Sequence, residues 1–130
     1  MKNLQPSSLS FRLFLIMTLL FSPILAKAET HDVLVRNNFF EPNDITIEVG
    51  DTVRWTNNSG LHDVTADDGS FTSVTSSNFT FSRTFNSIAE VLYYCSVHSS
   101  PGQNINSNMN GRINVIEASA TTDISIDSVD

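Results

Sequence analysis

The stretch Ile45-Thr46-Ile47-Glu48-Val49-Gly50-Asp51-Thr52-Val53-Arg54-Trp55-Thr56 decides the fold class. Ile45, Ile47 and Val49 alternate with Thr46 and Glu48, the period-two pattern of a strand with one buried face. Gly50-Asp51 then turns the chain, and Val53 and Trp55 share one face of the segment that follows.

The same pattern recurs on both sides. His31 to Arg36 alternates and ends at the turn-prone pair Asn37-Asn38. Beyond Thr56 come a loop, Asn57-Asn58-Ser59-Gly60, and a short extended piece, Leu61 to Thr65, that carries His62. Asp67-Asp68-Gly69-Ser70 marks another turn. Phe79, Phe81 and Phe85 are expected on two strand segments, Val91 to Cys95 is β-branched and aromatic, and Arg112 to Ile116 alternates again. No helical stripe is visible. Many short strands between turn signals predict an all-β, Greek-key antiparallel sandwich.

The ends read differently. Lys2 and Arg12 precede a largely apolar run from Leu13 to Leu25, and Ala26-Lys27-Ala28 has the small-x-small form of a signal-peptidase site. Residues 1–28 are therefore expected to be a signal peptide, 29–117 the folded domain and 118–130 an acidic, frayed tail. The apolar run falls short of the ~20 residues of a membrane span, so no stable membrane insertion is expected after cleavage. The leader holds three of the seven basic residues and none of the fourteen acidic ones, which leaves the mature chain at −10. That charge excludes a basic patch for nucleic acid and suits a cationic partner.

One cysteine, Cys95, stands in Leu92-Tyr93-Tyr94-Cys95-Ser96-Val97-His98. It cannot close an internal disulfide in an exported chain, so it needs another role. Thiolate plus imidazole is a ligand set for a soft or borderline metal. Cys95 and His98, with His62 and a thioether from Met109, make the His₂Cys set with a weak axial ligand that suits type 1 copper.

The residues that carry this set resemble the cupredoxin family, in its plastocyanin-like and pseudoazurin-like branch. The matching text is Phe40-Glu41-Pro42-Asn43-Asp44 through Trp55-Thr56-Asn57, then His62, then Tyr94-Cys95-Ser96-Val97-His98, and finally Met109-Asn110-Gly111-Arg112-Ile113-Asn114-Val115. The resemblance spans about His31 to Ile116. It implies one copper ion held by His62, Cys95, His98 and Met109. The family's usual spacing puts the axial methionine five residues after the second histidine, where this chain has Gln103. Met109 is preferred because the strand after it fixes its place, and Ser99 to Asn108 then becomes a surface insertion. Gln103 stays as the alternative axial ligand.

The resemblance also gives Asp63 a place where plastocyanin-like chains commonly carry asparagine. There a side chain accepts a backbone N–H from the Cys95 loop and ties the two ligand loops together. It sets Tyr94 where plastocyanins use a tyrosine for electron exchange, and makes the edge of His98 the nearer electron port. If cleavage follows Ala28, Glu29-Thr30-His31 offers an amine, two amides and an imidazole as a second, square-planar site for Cu(II) or Ni(II).

The implied function is a periplasmic or secreted single-electron carrier, monomeric and not an enzyme. Its redox partner would be a cytochrome or copper enzyme with a basic surface. A copper-binding or delivery protein on the same fold is the alternative. The chain has three histidines and three methionines, too few for a metal-delivery tract or a second copper centre of the known oxidase and reductase kinds.

Overall fold

The computed structural model describes residues 27–119, which belong to one compact unit. The signal-peptide assignment falls almost wholly outside the described residues, as does most of the 118–130 tail. No helix occurs among the described residues, and none is long and apolar enough to cross a membrane.

Eight strands form two four-stranded sheets. They are β1 Thr30–Arg36, β2 Phe39–Glu41, β3 Asp44–Glu48, β4 Thr52–Asn57, β5 Thr65–Ala66, β6 Phe79–Thr84, β7 Ala89–Tyr94 and β8 Asn110–Ile116. One sheet runs β2-β1-β4-β6 and the other β3-β8-β7-β5. The sandwich is as expected, but both sheets are mixed: β1 pairs parallel with β4, and β3 parallel with β8. The reason is the connection at Gly50-Asp51. Although β3 and β4 are joined by that tight turn, they do not pair, because the chain crosses there from one sheet to the other.

The alternating pattern becomes the core. Val33, Val35, Phe40, Val53, Trp55 and Phe79 point inward from one sheet, and Ile47, Ile113, Val115, Tyr93 and Ala66 from the other. Trp55 sits at the centre, with Phe71, Phe81 and Tyr93 around it at ring-centroid separations of 5.4–5.9 Å. Tyr93 lies opposite Gly111 across the β7–β8 ladder, and a Cβ at Gly111 would overlap the Tyr93 ring. Phe79 and Phe81 share β6, while Phe85 lies just past its end and still packs inward. β2, which the sequence reading left out, forms a hairpin with β1 across Asn37-Asn38. Asn38 takes the left-handed conformation that this short return needs.

The sheet crossover is fastened by Asp51. This buried carboxylate accepts the Glu29 N–H at 2.8 Å, the Glu48 N–H at 3.0 Å and the His31 Nε2 at 2.8 Å. Burial alone would raise its pKa. The two N–H groups and the His31 ring outweigh burial and leave it below the ordinary aspartate value. A depressed folded-state pKa gives stability that is present above the unfolded pKa of about 3.9 and lost as pH falls through the folded one. Denaturant titrations from about pH 6 down to about pH 3 should therefore show a loss of order 1 kcal/mol that Asp51→Asn removes. An unchanged slope in the variant would refute this.

His31 and Glu29 are thus both engaged by Asp51. A square-planar site needs the Thr30 and His31 amides to converge, but along an extended strand successive N–H groups point to opposite sides. With Ala28 attached, the Glu29 nitrogen is a peptide amide, and the Glu29-Thr30-His31 donors stand apart along β1.

Candidate metal centre

Two loops at one end of the sandwich, the one after β4 and the one between β7 and β8, bring the predicted ligands together. β4 runs into the loop that carries His62, whose backbone pairs both ways with Ser76 (3.2 and 3.0 Å). β7 ends at Tyr94, and the Cys95 N–H bonds the Met109 carbonyl at 3.0 Å, which continues the β7–β8 ladder into the site. After Cys95 the chain turns tightly. The His98 and Ser99 N–H groups both bond the Cys95 carbonyl, at 3.1 and 2.9 Å. That turn folds the His98 ring back over the cysteine, which is the physical content of the Cys-x₂-His spacing.

The donor atoms converge. Cys95 Sγ lies 3.8 Å from His62 Nδ1 and 3.5 Å from His98 Nδ1, and all three donors fall within 4.8 Å of one another. A metal bonded to sulfur at about 2.3 Å and to nitrogen at about 2.0–2.1 Å in a trigonal plane separates the sulfur from each nitrogen by about 3.8 Å. The residues fit such an ion. Cys95 and His62 are buried and His98 is exposed.

Burial lowers the pKa of His62, and the neighbouring His98 lowers it further, so its ring is kept in the neutral form a metal requires. Burial pushes the Cys95 thiol up, and the N–H groups of Asp63, Val97 and His98 offset only part of that rise.

Met109 is fully buried and joined to Cys95 through its backbone, whereas Gln103 is exposed on the loop. Burial therefore favours Met109 as the axial neighbour. Met109→Leu should move the copper potential and visible spectrum while Gln103→Ala leaves both as they were. The reverse result would transfer the axial role to Gln103.

Asp63 ties the ligand loops together as expected, through more bonds than the sequence indicates. Its buried carboxylate accepts the Ser96 N–H at 2.7 Å, the Ser96 hydroxyl, and the Thr75 hydroxyl at 3.0 Å. Its own N–H points at Cys95 Sγ, 3.5 Å away. Sequence reasoning missed Thr75 and the buried Asn57. Thr75 lies in no recognisable motif, and Asn57 closes the matching text without a role that sequence assigns; only the loop packing reveals what they do.

The Ser99–Asn108 insertion lies on the surface, but it is pinned. Gly102 N–H bonds Asp67 Oδ2 at 2.7 Å, and Asn43 Nδ2 bonds the Ile105 carbonyl at 2.8 Å.

No family model matches the chain, and no curated protein does. Solved structures match with probability 1.00. A pseudoazurin from Sinorhizobium is 23% identical, with 68% of this chain and 75% of that one covered and a TM-score of 0.53. A purple cupredoxin from Nitrosopumilus maritimus is 24% identical over 69% of this chain and 100% of that one, with a TM-score of 0.52. This is the cupredoxin fold. A copper-containing nitrite reductase from Thermus scotoductus is 27% identical over 66% of this chain, with a TM-score of 0.53, but this chain spans only 22% of that protein's length. Within the cupredoxin sandwich found here, the donor cluster occupies the loops at one end, and among the described residues it is the one group of three or more histidine, cysteine or acidic side chains close enough to hold a metal.

Proposed function

We propose that this cupredoxin is an exported, periplasmic type 1 copper protein that carries single electrons between redox partners. The observation that carries the reading is the convergence of two imidazole nitrogens on the Cys95 sulfur, at 3.8 and 3.5 Å. His62, Cys95 and His98 would hold the ion and Met109 would stand as its axial neighbour. Bound copper would supply the one-electron Cu(II)/Cu(I) couple. Cys95 would provide the covalent ligand, and the buried His62 and Met109 would exclude water. Asp63 and the β7–β8 ladder would keep the donors from rearranging between oxidation states.

His98 is the exposed ligand, so its ring edge is the proposed electron port. Leu61 (55% exposed) and Val97 (43% exposed) flank the two histidines in sequence. Residues 69–82 and 95–111 carry no formal charge, and 57–66 carry only the buried Asp63. The contact itself is therefore uncharged and partly apolar, while the net charge of −10 on the mature chain steers a cationic partner toward it. The electron-carrier reading is preferred to a copper enzyme because the third histidine, His31, is bonded to Asp51 at the start of β1. Parallel pairing sets that position beside the start of β4, away from the loop that follows β4.

The test is titration of the mature protein with Cu(II), followed by cyclic reduction and oxidation. One equivalent giving an intense thiolate-to-copper band and a reversible one-electron wave supports the carrier. Copper that binds without a reversible wave and passes readily to a competing chelator supports delivery instead. No uptake leaves a metal-free sandwich.

A further inference from the structure

We propose that Gly60 is a positioning residue for His62: the absence of a side chain at position 60 is what lets the His62 ring stand at its distance from Cys95. Gly60 has φ +80°, and a Cβ there would lie 2.5 Å from His62 Nε2, 3.1 Å from Cδ2 and 3.5 Å from Cε1. Gly50, Gly69 and Gly102 are also left-handed, yet a Cβ at any of them meets nothing within 4 Å. Those three glycines answer only to the backbone; Gly60 answers to the backbone and to the ring.

A second observation explains why contact sets the ring. Metal-ligating histidines ordinarily donate their other ring N–H to a carboxylate, carbonyl or water, which fixes the ring's orientation. Among the described residues, no protein group hydrogen-bonds the buried His62 Nε2. Its far edge rests against Gly60 with no bond to hold it.

The support is itself rigid. Buried Asn57 donates from Nδ2 to the Gly60 carbonyl at 3.0 Å and to the Ser76 carbonyl at 2.8 Å, while its Oδ1 accepts the Ser59 N–H at 3.2 Å. Ser76 is the residue paired to the His62 backbone. The support and the ring's own backbone therefore hang on one side chain, which resists their moving apart to admit a methyl group.

The inference rests on His62 being a copper ligand, so its test begins in copper-free protein, where that reading plays no part. Unfolding is compared for Gly60→Ala, His62→Ala, the double variant and Gly69→Ala, the last giving the cost of backbone strain alone. Gly60→Ala is expected to raise the unfolding constant roughly tenfold or more beyond Gly69→Ala, the scale of an overpacked core site. In the His62→Ala background that excess should disappear. An equal penalty in both backgrounds would overturn the proposal. If Gly60→Ala does not fold, recovery of folding in the double variant supports it and failure to recover overturns it. Where Gly60→Ala folds and takes up copper, its thiolate-to-copper band and midpoint potential should shift while those of Gly69→Ala do not. An unshifted band in Gly60→Ala counts against the proposal as well. Absence of copper uptake by the unaltered protein would defeat the proposed function and leave the copper-free comparison standing.

Discussion

Cys95→Ser is expected to abolish the intense thiolate-to-copper band and to weaken copper binding by more than about 100-fold. Loss of an outer-shell partner alone costs about 10- to 100-fold, and here a ligand itself is removed. Serine presents a hard oxygen that does not ionise near neutral pH, so it replaces neither the charge nor the covalency of the thiolate. The fold should survive. The Cys95 N–H still bonds the Met109 carbonyl, and the turn to His98 is made by backbone groups that serine retains. Absorption and electron-spin spectra of the copper-loaded variant, with circular dichroism as the control for folding, decide the matter. An intense band surviving in a folded Cys95→Ser protein would show that the sulfur is not the ligand.

Asp63 separates two effects that one residue usually confounds. Asp63→Ala removes a buried acceptor used by three donors on two other segments, Ser96 N–H, the Ser96 hydroxyl and the Thr75 hydroxyl. Hydrogen bonds to a charged group contribute about 1.5–3 kcal/mol each, with imperfect additivity, so a loss of at least ~3 kcal/mol is expected in denaturant unfolding. Asp63→Asn keeps the shape. Its carbonyl still accepts the Ser96 N–H, and either hydroxyl can rotate to accept from the new amide. What it loses is a negative charge beside the metal centre, which favours Cu(II) over Cu(I). The midpoint potential should therefore rise by tens of millivolts, where about 59 mV is a tenfold change for one electron. A potential unchanged in Asp63→Asn would show that the residue acts by tethering alone.

The strands were legible because their signal is local. Ile45, Ile47, Val53 and Trp55 declare a buried face by alternation alone, and the pattern holds wherever the strand later pairs. The same locality hid the pairing. Nothing in Val49-Gly50-Asp51-Thr52 indicates that the chain crosses between sheets there, since a hairpin and a crossover can share a turn sequence. Only the β1–β4 and β3–β8 parallel ladders reveal it. Likewise β2 is three residues long, too short for any period to register.

The metal site divides in the same way. Cys95 and His98 are three residues apart, within one turn, so their meeting is written in the chain. His62 lies 33 residues from Cys95, and its convergence on the thiol needed the β7–β5 pairing and the His62–Ser76 bridge. The choice between Gln103 and Met109 turns on burial, a property of neither residue alone.

By itself the sequence determined the β class, the donor chemistry of Cys95 and His98 and a formal net charge of −7, because composition and short-range spacing suffice for these. The tertiary structure alone decided that the sheets are mixed, that Asp51 binds His31 and the Glu29 N–H at the sheet crossover, and that Asn57 holds the Gly60 loop beside His62. Each of those depends on atoms brought together from distant or oppositely facing positions, and only the packed fold specifies such distances.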